Sequence, residues 1–153
     1  MEPTFHAGQL ILVNRSERVL PYWLTHVAYA GAGQPSSSSL FKRGQVAVFF
    51  PTDLHSGDPL IKRVIALPGD GLSIREGTVW VNGSQVTEPY IHGALTACVT
   101  YCDLTLPPGE YFMMGDNRAN SYDSRVFGPI SEKNVIGQVV LRYWPLDKVE
   151  TFP

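Results

Sequence analysis

The chain has 153 residues, 44% of them apolar and 17% charged, with a formal net charge of -2. That length suits one domain with a real core, and the composition excludes intrinsic disorder. The charge lacks the basic footprint of a nucleic-acid binder, and no apolar run is long enough to cross a bilayer as a helix.

The opening residues Met1-Glu2-Pro3 have neither a basic start nor an apolar stretch, so they do not read as a secretory signal. Leu10-Ile11-Leu12-Val13 predicts a first short strand. Residues 16–30 hold a turn or two of helix at most, weakened by Pro21 and the glycines that follow. Residues 31–39, with four consecutive serines, read as a flexible loop tip. Residues 45–50 predict a strand stopped by Pro51, and residues 60–67 a third, ended by the turn Pro68-Gly69-Asp70. A meander follows. Residues 73–75 turn at Glu76-Gly77 into 78–81, which turn at Asn82-Gly83 into 84–86. Residues 110–114 form a strand feeding a polar loop, and 135–144 give the longest apolar stretch. Strands at short intervals with Gly/Pro turns predict a mostly β fold, an antiparallel barrel or sandwich with little helix. The expected organisation is a single catalytic-type domain over 1–153, with a flexible insertion around 16–42 and a β-meander extension around 71–108. Cys98 and Cys102 match neither a thioredoxin-like nor a zinc pattern. Two free thiols and a local disulfide both stay open. His6, His26, His55 and His92 are scattered without ligand spacing, so no metal site is expected.

Two places carry candidate chemistry. Lys62 lies in an otherwise apolar strand and, by strand alternation, shares a face with Leu60 and Val64. Apolar neighbours strip water from an amine. Lowering it from about 10.4 to about 8 costs roughly 3 kcal/mol and leaves a neutral base near working pH. The plainer reading is a strand lysine whose stem snorkels to water. Arg63 points to the other face, as an ion-pair partner. The second place is the run Gly115-Asp116-Asn117-Arg118-Ala119-Asn120-Ser121-Tyr122-Asp123-Ser124-Arg125. If it is extended, Ser121, Asp123 and Arg125 share a face. Arg125 would then grip Asp123 in a two-point pair, and Ser121 would aim the amine of a lysine. Asp116 and Asn117 would close the turn after Met114. Other readings are a solvated loop of surface ion pairs and a calcium loop of Asp116, Asn120 and Asp123. Arg118 and Arg125 oppose the ion, and the spacing is not that of an EF-hand. A Ser–His–Asp triad using Ser121 or Ser124 lacks both the Gly-x-Ser-x-Gly elbow and a placed histidine.

Taken in order, the motifs Met1-Glu2-Pro3-Thr4, Arg43-Gly44-Gln45-Val46, Ile61-Lys62-Arg63-Val64, Leu67-Pro68-Gly69-Asp70, the polar run, Phe127-Gly128 and Arg142-Tyr143-Trp144-Pro145 resemble the bacterial type I signal peptidases. The resemblance implies a serine–lysine protease with Lys62 as general base, Ser121 orienting its amine, and Asp123 and Arg125 bracing the loop. It implies that Met1, Ile11, Val48 and Ile61 help line two small pockets for alanine-like side chains. The partners it implies are the signal peptides of exported preproteins, bound extended beside the strands, and the membrane surface, reached through an anchor upstream. No nucleic acid, metal or cofactor is expected. The implied location is the cell membrane, with the catalytic domain on its extracytoplasmic side. Phe5, Phe49, Phe50 and Trp144 are candidates for an apolar surface facing that membrane. In the family the nucleophilic serine directly precedes the methionine of the first motif, so these residues alone are expected to be inactive. Gln9 and Gln45 stand where the family often has aspartate. Two alternatives are a non-catalytic peptide-binding β module and a LexA-like self-cleaving serine–lysine domain, which lacks the Gly-Asp-Asn-Arg loop.

Overall fold

Apolar residues alternate along most of the strands, and the computed structural model, which describes residues 1–15, 39–51 and 58–153, pairs them into two antiparallel sheets. The expected helical turns within 16–30 and the serine-rich tip at 31–38 lie outside the described residues, as do His26 and His55. The strands are β1 (Leu10–Arg15), β2 (Val46–Phe49), β3 (Leu60–Ala66), β4 (Gly71–Arg75), β5 (Thr78–Val81), β6 (Ser84–Gln85), β7 (Asp103–Thr105), β8 (Glu110–Met114), β9 (Ile130–Ser131), β10 (Val135–Trp144) and β11 (Glu150–Thr151). One short helix, α1 (Ser124–Phe127), follows the polar run. The large sheet has the order β1-β10-β2-β3-β8-β9, with β11 on β10, and the small sheet the order β6-β5-β4-β7. The mostly β, antiparallel expectation with little helix therefore holds. Strands β7, β9 and β11 were not foreseen. They are two or three residues long, too short for a periodic signal, and a partner strand defines each.

Strand β8 and the second half of β3 bury both faces. Phe112 and Met114 pack with Ile65, Leu72, Val79 and Leu106 between the two sheets. Tyr111 and Met113 pack the other way, with Val64, Ala47, Phe49 and Ile130. A strand covered on both sides is apolar throughout, as in Tyr111-Phe112-Met113-Met114. The β3–β8 register shifts between Val64 and Ala66, so Ile65 and Ala66 enter the same core. A bulge of this kind re-aims side chains within a strand.

The junction between the sheets is polar. The turn Pro68-Gly69-Asp70 leaves β3, and Asp70 accepts from Leu67 N at 2.7 Å, Asn82 Nδ2 at 2.8 Å and both Nε and Nη2 of Arg43 at 3.1 and 2.8 Å. Asn82 in turn accepts from Gly71 N at 2.8 Å. This contact works because Asn82 and Gly83 take φ of 52° and 76°, the mirror-image turn that suits a right-twisted hairpin.

Burial alone would raise the Asp70 carboxyl. Hydrogen bonds from Arg43, the Leu67 amide and Asn82 overcome that and hold it below its ordinary 3.8. A carboxylate depressed on folding contributes stability above its unfolded pKa and loses it as pH falls through the folded one. Asp70→Ala is expected to lower urea-unfolding stability by about 2–4 kcal/mol at about pH 7, and by much less at about pH 2. An equal loss at both pH values would contradict this account of the junction.

Candidate active site

Strand β3 carries Lys62 opposite Ala47 of β2, half-buried, and its Nζ donates to Ser121 Oγ at 3.0 Å. The amine is not free in water as the snorkelling reading requires. Burial lowers its pKa, reinforced by Arg125 and opposed by Asp123 and Asp116. A desolvated amine with a hydroxyl partner can take and return a proton.

Asp123 fixes Ser121 in place. It is wholly buried and accepts from Gly115 N at 3.0 Å, Arg125 N at 3.1 Å, Arg125 Nε at 2.9 Å and Arg125 Nη2 at 2.8 Å. Burial would raise its carboxyl. The hydrogen bonds from Arg125, the Gly115 amide and the Ser121 hydroxyl instead hold it below the usual range. The two-point Asp123–Arg125 pair is as expected and Asp123 itself is extended, at φ -149° and ψ -169°, but the run does not stay extended as far as Arg125. Asp123 is the N-cap of α1 and Arg125 lies inside the helix, because a carboxylate two residues before an N–H satisfies a helix start better than it continues a strand. Ser124 Oγ accepts from Met113 N at 3.0 Å, which ties α1 to β8.

Gly115 makes the meeting of Lys62 and Ser121 possible. A Cβ there would lie 2.1 Å from Ser121 Oγ and 3.4 Å from Lys62 Nζ. Sequence reasoning placed Gly115 at the head of the run without seeing this role, which depends on a contact across two elements.

The neighbouring polar residues are also internal. The turn after Met114 forms as expected, with Arg118 N donating to Asp116 O at 3.0 Å and Asn120 N donating to Asn117 O and Oδ1 at 3.1 and 3.2 Å, while the Asp116 carboxylate points inward. Its oxygens accept from Arg63 Nε at 2.9 Å and Nη2 at 2.7 Å, and Thr4 Oγ1 bonds to it as well. Arg142 Nη1 donates to Thr4 O at 2.6 Å. The first residues are thus pinned beside the site, and the Met1 amino group is partly buried near Lys62. Its pKa is lowered by that burial and by the Lys62 charge, against Asp116 and Glu2. Arg118 is buried, donates to Gly115 O at 3.1 Å and pairs with Glu88 and Thr96 of the extension. Neither Thr4 nor Glu88 carries a local signal, since their partners are 112 and 30 residues away.

With Asp116, Arg118, Asp123 and Arg125 all buried, the run is no solvated loop. Both carboxylates of the calcium reading are held by guanidinium groups. Among the described residues no three His, Cys, Asp or Glu gather as a metal site. The structure pairs Cys98 with Cys102 as a disulfide. Met1, Ile11, Val48 and Ile61 all pack, partly buried, on one cluster with Phe5, Val46 and Val139. Val48 and Ile61 are direct strand partners. The expected apolar surface differs in membership. Phe5 and Phe49 belong to the core, while Trp144 is exposed together with Leu10, Leu12, Tyr143, Leu146 and Val149. Leu10 lies directly opposite Trp144 on β10.

The chain is similar to known proteins over most of its length. The family described as signal peptidase, peptidase S26, matches residues 1–144. A probable signal peptidase I-2 from Synechocystis is 38% identical over 112 residues, covering 71% of this chain and 50% of its own length. A signal peptidase I from Bacillus caldolyticus is 33% identical over 157 residues, covering 95% of this chain and 75% of its own. The crystal structure of a signal peptidase I from Enterococcus faecalis superposes with a TM-score of 0.51 at 30% identity, over 63% of this chain and 94% of that one. The chain thus spans half the length of the Synechocystis relative.

The site separates two kinds of variant. Asp123→Ala strands a buried guanidinium and is expected to cost about 3–5 kcal/mol in urea unfolding. Ser121→Ala removes one partly exposed hydroxyl and should cost about 1 kcal/mol or less. Similar losses for the two would mean that Asp123 is not the structural centre of the loop.

Proposed function

The chain belongs to the signal peptidase family, peptidase S26, and from that premise we propose that it is the catalytic-type domain of an enzyme that cleaves signal peptides from exported preproteins by a serine–lysine mechanism. The observation that carries the reading is the half-buried Lys62 amine, held by Ser121 Oγ at 3.0 Å beside the Met1 amino group. A serine joined to Met1 is the nucleophile in this reading, since the amino side of Met1 lies within reach of the Lys62 charge. Lys62 Nζ takes the serine proton as Oγ attacks the scissile carbonyl carbon. The tetrahedral adduct collapses, the C–N bond breaks, and Lys62 returns the proton to the leaving amine. The same amine then activates water to hydrolyse the acyl-enzyme. Ser121 aims the amine, and Asp123 with Arg125 holds Ser121. Met1, Ile11, Val48 and Ile61 accept small side chains of an extended substrate, because shallow apolar pockets exclude large ones sterically. The Cys98–Cys102 disulfide supports a location on the oxidising, extracytoplasmic side of the membrane.

Turnover on a preprotein with an Ala-x-Ala site tests the mechanism. A polypeptide that carries a serine directly before Met1 should cleave it, and one of these residues alone should not. In the active form Lys62→Ala and Lys62→Arg should both lose at least about a thousandfold in kcat, since a guanidinium keeps its proton. Ser121→Ala should lose less than either. Substantial turnover by the arginine variant would remove Lys62 as the base.

The exposed Leu10, Leu12, Tyr143, Trp144, Leu146 and Val149 support docking to the bilayer, where aromatic and apolar side chains suit the interface. Flotation should show weak association of this chain with neutral vesicles. Anionic lipid should matter little, because the net charge is -2. Replacing Leu12 and Trp144 together with serine should abolish the association. Binding seen with anionic lipid alone would argue for an electrostatic contact instead.

A further inference from the structure

Residues 96–102 leave the small sheet, touch the back of α1 and return. At one end Thr96 N donates to Gly77 O at 2.8 Å, and at the other Ile74 N donates to Cys102 O at 2.7 Å. Between these anchors the amides of Thr100 and Tyr101 donate to Arg125 O at 2.9 and 3.1 Å. Arg125 Nη1 donates to Ala97 O at 3.3 Å. The Tyr101 ring lies so close to Gly128 that a Cβ there would come within 3.2 Å of it. One loop therefore grips both the backbone and the side chain of Arg125. None of residues 97–101 is buried, so no packing of its own keeps the loop in shape. What closes it is the Cys98–Cys102 disulfide, with Cys98 exposed.

We propose that the Cys98–Cys102 loop is a positioning element for Lys62, acting through Arg125 and Asp123, and that opening its disulfide with a dithiol loosens the lysine from its alignment. The route is continuous. The loop holds Arg125, Arg125 holds Asp123 at 2.8 and 2.9 Å, Asp123 holds Gly115 N at 3.0 Å and the Ser121 hydroxyl, and Ser121 holds Lys62 Nζ at 3.0 Å. In the opening step the dithiol supplies two electrons and two protons. The Sγ–Sγ bond breaks to two cysteine thiols, and the reductant becomes its own disulfide. The opened loop releases the Arg125 carbonyl. The guanidinium and Asp123 lose their fixed geometry, and water reaches the amine.

The catalytic consequence rests on the peptidase reading; the effect on the amine does not. The charged groups around Lys62 are Asp123, Arg125, Asp116 and the Met1 amino group. Burial is the largest influence on it, so rehydration moves its titration upward; a looser Asp123 opposes that rise and a looser Arg125 adds to it, and the loss of burial outweighs both.

The test titrates the Lys62 side-chain resonance of the isotopically labelled chain by NMR, before and after treatment with a dithiol, with thermal unfolding followed alongside. The Cys98→Ser/Cys102→Ser variant is titrated in parallel. The Lys62 midpoint should rise on reduction and return on reoxidation, while the double variant should match the reduced protein and ignore the dithiol. In a polypeptide carrying the serine before Met1, reduction should lower kcat about tenfold with KM unchanged, the loss of one well-placed charged hydrogen bond. An unmoved midpoint with both thiols free would overturn the proposal. So would global unfolding on reduction, because the disulfide would then hold the fold and not the lysine. Failure of the peptidase reading looks different: the midpoint moves, but the oxidised, serine-bearing polypeptide shows no turnover.

Discussion

A fully buried carboxylate sets the terms for the centre of this molecule. Asp123 has no access to water, and an ionised group so placed must be satisfied by donors or it neutralises. The chain satisfies it four ways: with the guanidinium of Arg125, with the start of α1, with the Gly115 amide and with the Ser121 hydroxyl. Each of these donors is thereby fixed relative to the others. The helix begins where it does, the loop after β8 turns where it does, and the hydroxyl that meets Lys62 cannot swing away.

Arginine repeats this stitching elsewhere. Arg63 joins β3 to Asp116 and stacks on Tyr90 of the extension at 4.0 Å. Arg118 joins the polar loop to Glu88. Arg142 ties β10 to Thr4 O, Lys148 O and Glu150. A planar guanidinium can bind a carboxylate at two points and still reach a carbonyl, which lysine cannot do. Buried pairs of this kind add little net stability over apolar packing, yet removing one partner is costly. Their effect here is on geometry. They lock the small sheet, the N-terminal residues and the polar loop to the strand that carries Lys62, whose own burial is unfavourable to its charge. Such an unfavourable burial is what the role of base proposed for Lys62 requires.

The sequence by itself determined the strands with strong local signals. The Asn82-Gly83 hairpin, the continuous apolar run of β8 and the long β10 were legible because alternation and turn chemistry are properties of a few adjacent residues. The Asp123–Arg125 pair and the Lys62–Ser121 contact were foreseen from residue types at fixed spacings and from the family resemblance. Tertiary structure decided the rest. It started a helix at Asp123 where an extended run was expected to continue, gave the Asp116 carboxylate to Arg63 and Thr4 while its backbone stays in the turn, and chose the disulfide over two free thiols. It moved Phe5 and Phe49 into the core and left Leu10 and Leu12 outside. The short strands β7, β9 and β11 also needed their partners to exist. The common reason is distance along the chain. A short-range pattern fixes which face a side chain takes and how a turn closes. What meets that side chain from 30 or 112 residues away depends on how the sheets stack, and no local pattern encodes that.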